Sequence, residues 1–382
     1  MLIRMITRLL LSSFLCISTF AVANTAPDFS SAPTTNGGKP WRIGYLEGGE
    51  YIYYQKIFTA TVKGLMQRGW IEAVPLPEQT GEQTAALWHW LSNEASGRYI
   101  EFVADAHYSA GWEDARRKTV QQTLLTRLRE QQDIDLMIAA GTWAGQDLAN
   151  NRHSTSTVII SASNPLSAGI VKSADDSGFE HVHARVDPDR YTRQLRVFHD
   201  LVGFKRLGIA LEDSDAGRSY AGWNEAEVLA QARGFTLVPC YTLSDISDTH
   251  KAEASVIDCF NELVNKADAI YVTTQGGITD SSLPVLISVV NRYKIPTFSQ
   301  NGGREVRQGI LMSISQAGHR AVGSFHAMTI GKIFNGARPN QLPQLFVEPV
   351  RMAVNLKSAE LVGYQPPLLL LGASDEIYRS IP

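Results

Sequence analysis

The sequence predicts an α/β protein with two doubly wound parallel sheets. Short apolar runs of the kind found in parallel strands alternate with helical patterns along most of the chain. The alternation is interrupted at residues 161–165, which read Ser-Ala-Ser-Asn-Pro, and it then resumes. A length of 382 residues and a hydrophobic content of 44% are sufficient for two or three domain cores.

The first 40 residues are predicted to lie outside the folded domains. Arg4 and Arg8 precede an apolar stretch over residues 9–20, and an Ala-Val-Ala pattern ends at Ala23. This arrangement is typical of a cleavable export signal, so we expect residues 1–23 to be removed. Residues 24–40 are rich in Ser, Thr, Pro and Gly and are expected to form a flexible arm. No later stretch has about 18 uninterrupted apolar residues, so the mature protein is expected to be soluble.

The charge balance argues against a nucleic-acid partner. The chain has 35 Lys and Arg against 38 Asp and Glu, a formal net charge of -3. Removal of the export signal removes two Arg and no acid, which leaves 33 minus 38, or -5. An acidic protein offers no positive field to a phosphate backbone.

Residues 41–160 predict the first sheet. Strands are expected at 42–46, 99–103, 136–139 and 158–160, with helices ending near residue 69 and spanning 113–131. Residues 71–97 fit no single pattern. After the third strand, Thr142 is predicted to be the N-cap of a helix, whose free backbone N–H groups would suit a carboxylate.

The remaining sequence predicts a second sheet after a lobe crossing at 161–165. Strands are expected at 182–186, 206–210, 235–238, 269–273, 296–298 and 309–313, and helices at 188–201, 217–233, 252–264 and 282–293. A helix at 319–334 is expected to pack back on the first lobe, and a strand at 350–355 to return to the second.

Two cysteines belong to the mature chain. Cys240 follows a predicted strand and Cys259 lies in a predicted helix. An oxidising compartment permits a disulfide between them, although two buried free thiols explain the pattern equally well.

The motifs of common enzymes are absent from the sequence. It contains no GxSxG, no HExxH and no glycine-rich phosphate loop, which disfavours an enzyme and a nucleotide cofactor. His181 and His183 alternate on one predicted strand, but surface or core histidines are more common than a metal pair. We therefore expect no catalysis, no cofactor and no metal.

Six sequence blocks carry a family resemblance. They are IDLMIAAGTWAGQDLA, VIISASNPLSAGIV, FKRLGIALEDSDAG, KADAIYVTTQGG, KIPTFSQNGG and VRMAVNLKSAELVGY. In this order, over roughly residues 41–367, the chain resembles substrate-binding proteins of ABC transporters with the type I periplasmic-binding-protein fold, in the group that includes tryptophan and tyrosine binders.

The resemblance implies two Rossmann-like lobes, joined by a three-segment hinge, that close on a ligand in the periplasm. The implied N-terminal lobe comprises residues 41–163 and 315–344, and the C-terminal lobe residues 164–314 and 345–382. A monomer is expected.

Three motifs depart from the family pattern. Members often carry an acid where this chain has SNP at 163–165, TQG at 274–276 and QNG at 300–302, and a proline where it has Trp143. A buried ammonium normally needs a carboxylate partner. These departures therefore leave both an amino acid and a deaminated analogue as candidate ligands.

Ligands in such sheets lie beyond the carboxyl ends of the strands, which nominates the following residues. They are Glu47, Tyr51, Tyr53, Tyr54, Thr142, Trp143, Ser163, Asn164, Asp213, Ser214, Gln275, Asn301 and Gln316. The aromatic side chains could stack on a flat ligand, with Glu47 or Glu50 as a carboxylate partner. Core packing for two of the tyrosines, and a helix cap for Asp213, are the competing explanations.

Two functions fit these features. In the first, the protein captures a small aromatic or otherwise planar solute and delivers it to an ABC permease. In the second, closure of the lobes is detected by a membrane-bound receptor, and no transport follows.

Overall fold

The computed structural model describes residues 28–316, 319–347 and 349–382. The export signal predicted for residues 1–23 lies outside these ranges. Among the helices described, none combines the length and the apolar character that crossing a membrane requires.

The first sheet has five parallel strands in the order β2-β1-β3-β4-β5. They are β1 (Trp41–Glu47), β2 (Ile100–Ser109), β3 (Leu136–Ala140), β4 (Ser156–Ile160) and β5 (Val182–Ala184). Every residue of β3 is buried, as the continuous apolar run Leu-Met-Ile-Ala-Ala predicts for a strand covered on both faces.

Four helices accompany these strands. They are α1 (Ile52–Gln67), α2 (Ala85–Trp90), α3 (Asp114–Glu130) and α4 (Gly141–Leu148). Helix α2 continues as a π-helical turn, Leu91–Ala95, in the segment whose sequence pattern is ambiguous. The buried Trp88 anchors this segment, since its ring lies 5.5 Å from that of Phe102 and its Nε1 donates to the Val103 carbonyl at 3.1 Å.

The second sheet has seven strands in the order β12-β11-β10-β9-β8-β6-β7. They are β6 (Arg206–Glu212), β7 (Thr236–Thr242), β8 (Ala269–Val272), β9 (Thr297–Ser299), β10 (Met312–Gln316), β11 (Val350–Asn355) and β12 (Glu376–Tyr378). Only the β10–β11 pair is antiparallel. The predicted class, two mostly parallel α/β sheets, is confirmed.

Eight helices cover the second sheet. They are α5 (Arg190–Val202), α6 (Asp215–Ala221), α7 (Trp223–Arg233), α8 (Thr249–Leu263), α9 (Leu283–Arg292), α10 (Gly303–Gln308), α12 (Leu356–Val362) and α13 (Leu368–Ala373). The single helix predicted at 217–233 is interrupted at Gly222. This glycine has φ 69°, and a Cβ there would lie 2.6 Å from the Tyr191 ring.

Helix α11 (Arg320–Phe334) packs on α1 of the first lobe, as the sequence predicts. The two helices approach closely through glycines, because a Cβ on Gly64 would lie 2.7 Å from the Gly323 carbonyl oxygen. A short 3-10 turn, Pro339–Gln341, follows before the chain returns to the second lobe.

The predicted position of the first lobe crossing is wrong. The strand expected at 182–186 belongs to the first sheet, since Val158 of β4 pairs with His183 of β5. The chain leaves this sheet at Val186, whose N–H donates to the Gln344 carbonyl at 2.8 Å. Phe346 N–H in turn donates to the Val186 carbonyl at 3.0 Å, so two crossings run side by side. A short apolar run fits the edge of either sheet. The sequence pattern therefore identifies this strand but not the sheet to which it belongs.

Residues 28–40 are packed on the first lobe, so a flexible arm is the wrong description of them. Trp70 Nε1 donates to the Ser31 carbonyl at 3.0 Å, and Trp41 Nε1 donates to the Thr34 carbonyl at 3.0 Å. The composition of this segment predicts flexibility, because the aromatic side chains that bind it lie elsewhere in the sequence.

A disulfide joins Cys240 of β7 to Cys259 of α8. Their Cα atoms are 5.6 Å apart, within the usual range for such a bond. Of the two possibilities left open by the sequence, the structure contains the bond.

Candidate functional site

The candidate site is a cavity of about 890 Å³ at the carboxyl ends of strands from both sheets. Its lining includes Tyr51 after β1, Thr142 after β3 and Ser163 after β4 in the first lobe. From the second lobe it includes Ser244 after β7 and Thr274 after β8. A solute in this cavity would therefore contact both lobes.

Four aromatic rings form the first-lobe side of the cavity. Tyr51 and Tyr54 meet edge to face with centroids 5.2 Å apart, and Trp112 and Trp143 meet in the same way at 5.4 Å. Tyr54 and Trp112 connect the two pairs at 6.1 Å. We call these four side chains the aromatic wall.

The loop after β1 is shaped to receive Trp112. A Cβ on Gly48 would lie 2.7 Å from the Trp112 ring, and one on Gly49 would lie 2.4 Å from it. The indole Nε1 donates to the Glu50 carbonyl at 2.9 Å. The two glycines therefore let the indole lie directly on the backbone at the edge of the cavity.

The start of α4 places Tyr54 and Trp143. Gly141 has φ 88°, and a Cβ there would be 1.9 Å from the Tyr54 hydroxyl. Ala140 is the N-cap and Thr142 lies inside the helix, so the predicted capping role of Thr142 is wrong. Its side chain lines the cavity instead. Trp143 is backed by the Arg117 guanidinium, 4.5 Å from its ring.

The second-lobe side of the cavity is mostly polar, and much of its hydrogen-bonding capacity is used within the protein. Thr242 Oγ1 donates to Gln275 Oε1 at 2.7 Å, and Gln275 Nε2 donates to the Ala210 carbonyl at 3.0 Å. Thr274 Oγ1 donates to Asn301 Oδ1 at 2.6 Å. These amides hold the loops after β7, β8 and β9 in place.

Asp245 is the acid of the second lobe that lies deepest among the rings. Burial and the charge of Glu212 raise the pKa of its carboxyl to about 7. Glu212 Oε2 accepts the backbone N–H of Asp245 at 2.7 Å and that of Ser244 at 3.1 Å, which fixes the loop after β7.

Three residues predicted for the site belong to its surroundings. Glu47 is buried beneath the cavity floor, where it accepts hydrogen bonds from Thr84 Oγ1 at 2.7 Å and the Tyr45 hydroxyl at 3.1 Å. Burial raises the pKa of Glu47 to about 7. Tyr53 packs beside His319 at 5.8 Å, and Asn164 Nδ2 donates to Glu225 Oε1 at 2.7 Å.

Asp213 and Ser214 line a neighbouring cavity of about 680 Å³ that shares Trp143 and Asp245 with the first. Ser214 is the N-cap of α6, accepting the Gly217 N–H at 2.9 Å, and Asp213 pairs with Arg218 at 3.0 Å. The predicted helix-cap alternative thus applies to Ser214 rather than Asp213.

The last two predicted residues lie near the hinge and the loop after β9. Asn301 supports that loop through a 3.0 Å bond from its Nδ2 to Glu305 Oε1. The backbone of Gln316 ends β10 opposite Val350, and its side chain lies outside what the structure describes.

Of the nominated residues, the structure brings six together around the cavity. They are Tyr51, Tyr54, Thr142, Trp143, Ser163 and Gln275.

The sequence did not nominate four lining residues that matter chemically: Glu82, Trp112, Tyr220 and Asp245. Trp112 lies in a turn between β2 and α3, and Asp245 in a Ser/Asp-rich loop that resembles any solvated turn. Glu50, which the sequence offers as an alternative to Glu47 for the carboxylate partner of the ligand, does line the cavity. Within the described ranges, no group of three or more His, Cys, Asp or Glu is placed to hold a metal ion.

Residues 108–376 match the family described as ABC transporter substrate binding protein, and the chain belongs to that family. None of the curated proteins compared with the sequence matches it. Solved structures with low sequence identity share its fold.

A conserved domain protein from Vibrio cholerae is 17% identical, with a TM-score of 0.66 over 89% of this chain and 100% of that one. The ABC domain in complex with L-Trp from Streptococcus pneumoniae is 18% identical, with a TM-score of 0.64 over 88% and 99%. A solute-binding protein of an ABC transporter from Rhodopseudomonas palustris, in complex with 3,4-dihydroxybenzoic acid, is 11% identical, with a TM-score of 0.52 over 82% and 93%.

Proposed function

We propose that this protein captures a small planar organic solute between its two lobes and delivers it to an ABC permease. The observation that carries the proposal is the aromatic wall along one side of the cavity between the lobes. Stacked or edge-to-face aromatic contacts each contribute about 0.5–1.5 kcal/mol beyond area burial. Two structures of similar fold contain L-Trp and 3,4-dihydroxybenzoic acid, both aromatic.

The size of the cavity supports a ligand of this class. Its volume of about 890 Å³ falls within the range of small-molecule sites. The polar loops of the second lobe would cover the face of the solute opposite the rings. A solute that contacts both lobes favours the closed arrangement, because binding shifts the equilibrium toward the state with more contacts.

The lobes would move about the paired crossings near Val186 and Leu345. We assign residues 41–186 and 319–344 to the first lobe and residues 187–316 and 345–382 to the second. Closure about these crossings changes the outer faces of both lobes, which gives a permease a signal that the site is loaded. Export to the periplasm, cleavage after Ala23 and a monomeric state complete the proposal.

Native mass spectrometry of the protein purified from the periplasm tests capture, followed by a thermal-shift screen of planar solutes. A solute at about a hundred times its dissociation constant adds about 2.7 kcal/mol of stability, which a melting curve resolves. We expect stabilisation by at least one planar solute. No stabilisation by any of them would contradict the proposal.

Uptake in cells tests delivery. Deletion of the gene is expected to abolish accumulation of the labelled solute. If uptake persists and a response to the solute is lost instead, the closed form is detected by a membrane receptor and the transport part of the proposal is wrong.

A further inference from the structure

The cavity has an excess of acidic side chains. Its described lining includes Glu50, Glu82, Asp245, Glu253 and Asp280. Arg304 and the exposed His250 are the basic side chains in the same described lining. Arg304 pairs with Asp280 and His250 lies 3.4 Å from Glu253, so Glu50, Glu82 and Asp245 are the acids of this described lining without a basic partner in it. A ligand carboxylate would therefore face a negative site, whereas a cation would be attracted to it.

Asp245 occupies a place within this site that suits a cation. The Trp143 indole lies beside its carboxyl, and the Tyr54 and Tyr220 rings are close enough to feel its charge. A side-chain hydrogen bond of 3.2 Å comes to Asp245 Oδ1 from Ser244 Oγ. The Trp143 indole meets this carboxyl through its N–H. Aromatic rings attract a cation at their faces, and a carboxylate among them adds an opposite charge.

The nearby Arg117 is engaged with a different acid. Its Nε donates to both carboxylate oxygens of Asp147 at 3.0 Å, and its guanidinium lies over the Trp143 ring. It supports the indole from behind while its main ion pair is formed inside the first lobe. Because this guanidinium is committed to Asp147, its positive charge compensates Asp245 only in part.

Tyr220 provides an observation that is independent of the acids. Its side chain is 7% exposed and lines the cavity, yet its hydroxyl has no hydrogen-bond partner among the described residues. Ser244 Oγ lies close enough to Tyr220 to oppose the rise in its pKa, but the hydrogen bond that it forms, at 3.2 Å, is to Asp245. A buried hydroxyl without a partner is costly, so this group is available to a ligand's N–H.

The electrostatics of Asp245 agree with this geometry. Burial and the neighbouring Glu212 charge raise the pKa of Asp245 to about 7, and they outweigh the opposing effects of Ser244, Arg117 and Trp143. Glu253, in contrast, accepts hydrogen bonds from the Thr279 and Ser281 hydroxyls, which lower the pKa of its carboxyl and keep it ionised in the cavity. A bound ammonium would stabilise both carboxylates.

We propose that the ligand is an organic cation, a planar group bearing a protonated amine without a carboxylate. Its amine is held by Asp245 and the Tyr220 hydroxyl, against the rings of Tyr54 and Trp143. This inference rests on the proposed function and narrows it, since it excludes the deaminated acid and ranks the amino acid below its amine.

The test is calorimetric titration of the purified protein with matched compounds on one ring. Tryptamine, tryptophan and indole-3-propionate form one such set, and tyramine, tyrosine and 4-hydroxyphenylpropionate form a second. We expect the amine to bind at least tenfold more tightly than the zwitterion and the acid of its set. Equal or tighter binding of the zwitterion or the acid would overturn the inference.

The variant Asp245→Asn tests the residue. It should weaken amine binding by about thirtyfold, the range of a lost hydrogen bond to a charged group, and should not weaken binding of the acid. Asp258→Asn, an exposed acid on α8 outside the cavity, is the matched control and should change neither. Equal weakening of both ligands would mean that Asp245 only shapes the loop.

The outcomes separate this inference from the proposed function. If none of the planar compounds binds, the proposed function fails. If planar compounds bind but the amine is not the tightest ligand of its set, the proposed function still holds. The inference that the ligand is an organic cation is then wrong. Should Asp245→Asn fail to fold, as judged from its melting curve, the ranking on the unaltered protein still decides.

Discussion

The first lobe presents four aromatic rings to the cavity, whereas the described lining of the second presents mainly hydroxyl, amide and charged groups, together with the phenol ring of Tyr220 and the exposed imidazole of His250. The rings of the first lobe are supported from behind, Trp143 by Arg117 and Trp112 by Gly48 and Gly49. The polar groups of the second lobe are largely bonded to one another. Rigid rings therefore face a hydrogen-bonded polar surface.

This difference suggests a division of roles. The aromatic wall can hold a planar solute of almost any substitution, because each ring offers contact area without demanding a particular hydrogen bond. On our proposal, selectivity comes chiefly from two second-lobe groups, the Asp245 carboxyl and the Tyr220 hydroxyl. The first lobe would provide affinity for planar solutes, and the second lobe would discriminate among them.

The largest expected effect concerns the buried acid beneath the aromatic wall. The folded protein keeps the Glu47 proton up to a pKa of about 7, while the unfolded chain releases it near the ordinary value of 4.5. The free energy of unfolding therefore falls as pH rises between these values, by about 3 kcal/mol at most. Asp245, whose pKa is also raised to about 7, adds a fall of the same sign, so Glu47→Gln should reduce the fall by the Glu47 share and not abolish it, as measured by urea unfolding at several pH values. The exposed Glu72→Gln should retain it, and equal slopes in both variants would contradict the assignment.

The disulfide is expected to stabilise the second lobe. It joins cysteines separated by 19 residues in the second lobe, and closing a loop of this length contributes about 3 kcal/mol. The double variant Cys240→Ala/Cys259→Ala should lower the unfolding free energy by about that amount and leave solute binding within threefold. Reducing agent should destabilise the unaltered protein and not the variant. A protein insensitive to reduction would show that the bond contributes nothing.

Removal of one ring tests the aromatic wall itself. Trp112→Ala should weaken binding of the most stabilising planar solute by about thirtyfold, or about 2 kcal/mol, because an aromatic anchor is lost. The control is Tyr293→Ala, an exposed ring of 46% accessibility at the end of α9, which should change binding less than twofold. Calorimetry gives both values. An effect of Trp112→Ala below threefold would assign affinity to the second lobe instead.

The smallest expected effect comes from moving a ring without removing it. Gly141→Ala would push a Cβ into the Tyr54 hydroxyl and should weaken binding about tenfold. Gly169 has a similar positive φ of 67°, but no atom lies within 4 Å of an added Cβ. Gly169→Ala therefore introduces backbone strain without a side-chain clash. The solute affinity of Gly169→Ala should stay within threefold of that of the unaltered protein. Similar losses in both variants would mean that strain, and not Tyr54, explains the effect.

The sequence predicts much of the fold because parallel strands buried on both faces have a strong local signature. The run Leu-Met-Ile-Ala-Ala of β3 and the glycine after it specify a strand, a turn and the cavity edge, which is how Thr142 and Trp143 were nominated. The edge strand β5 was misplaced because apolar patterning identifies a strand and not its neighbour.

The site was harder to predict than the fold, for a physical reason. Strand ends locate a cavity but do not determine which side chains point into it. Glu47 ends β1 and turns down to Thr84, while Trp112 reaches the cavity from a turn before α3 through its bond to Glu50. Asp245 depends on Glu212 holding its loop, a contact between residues 33 positions apart. Such long-range contacts leave no local pattern.

Hydrogen exchange with and without the most stabilising solute tests the central claim, that the ligand is enclosed between two chemically different lobes. We expect slower exchange on both sides of the cavity, at residues 47–54 and 141–148 of the first lobe and at 243–254 and 273–282 of the second. Slowing confined to one lobe would contradict it, because the solute would then lie on a surface and not in the cavity between them.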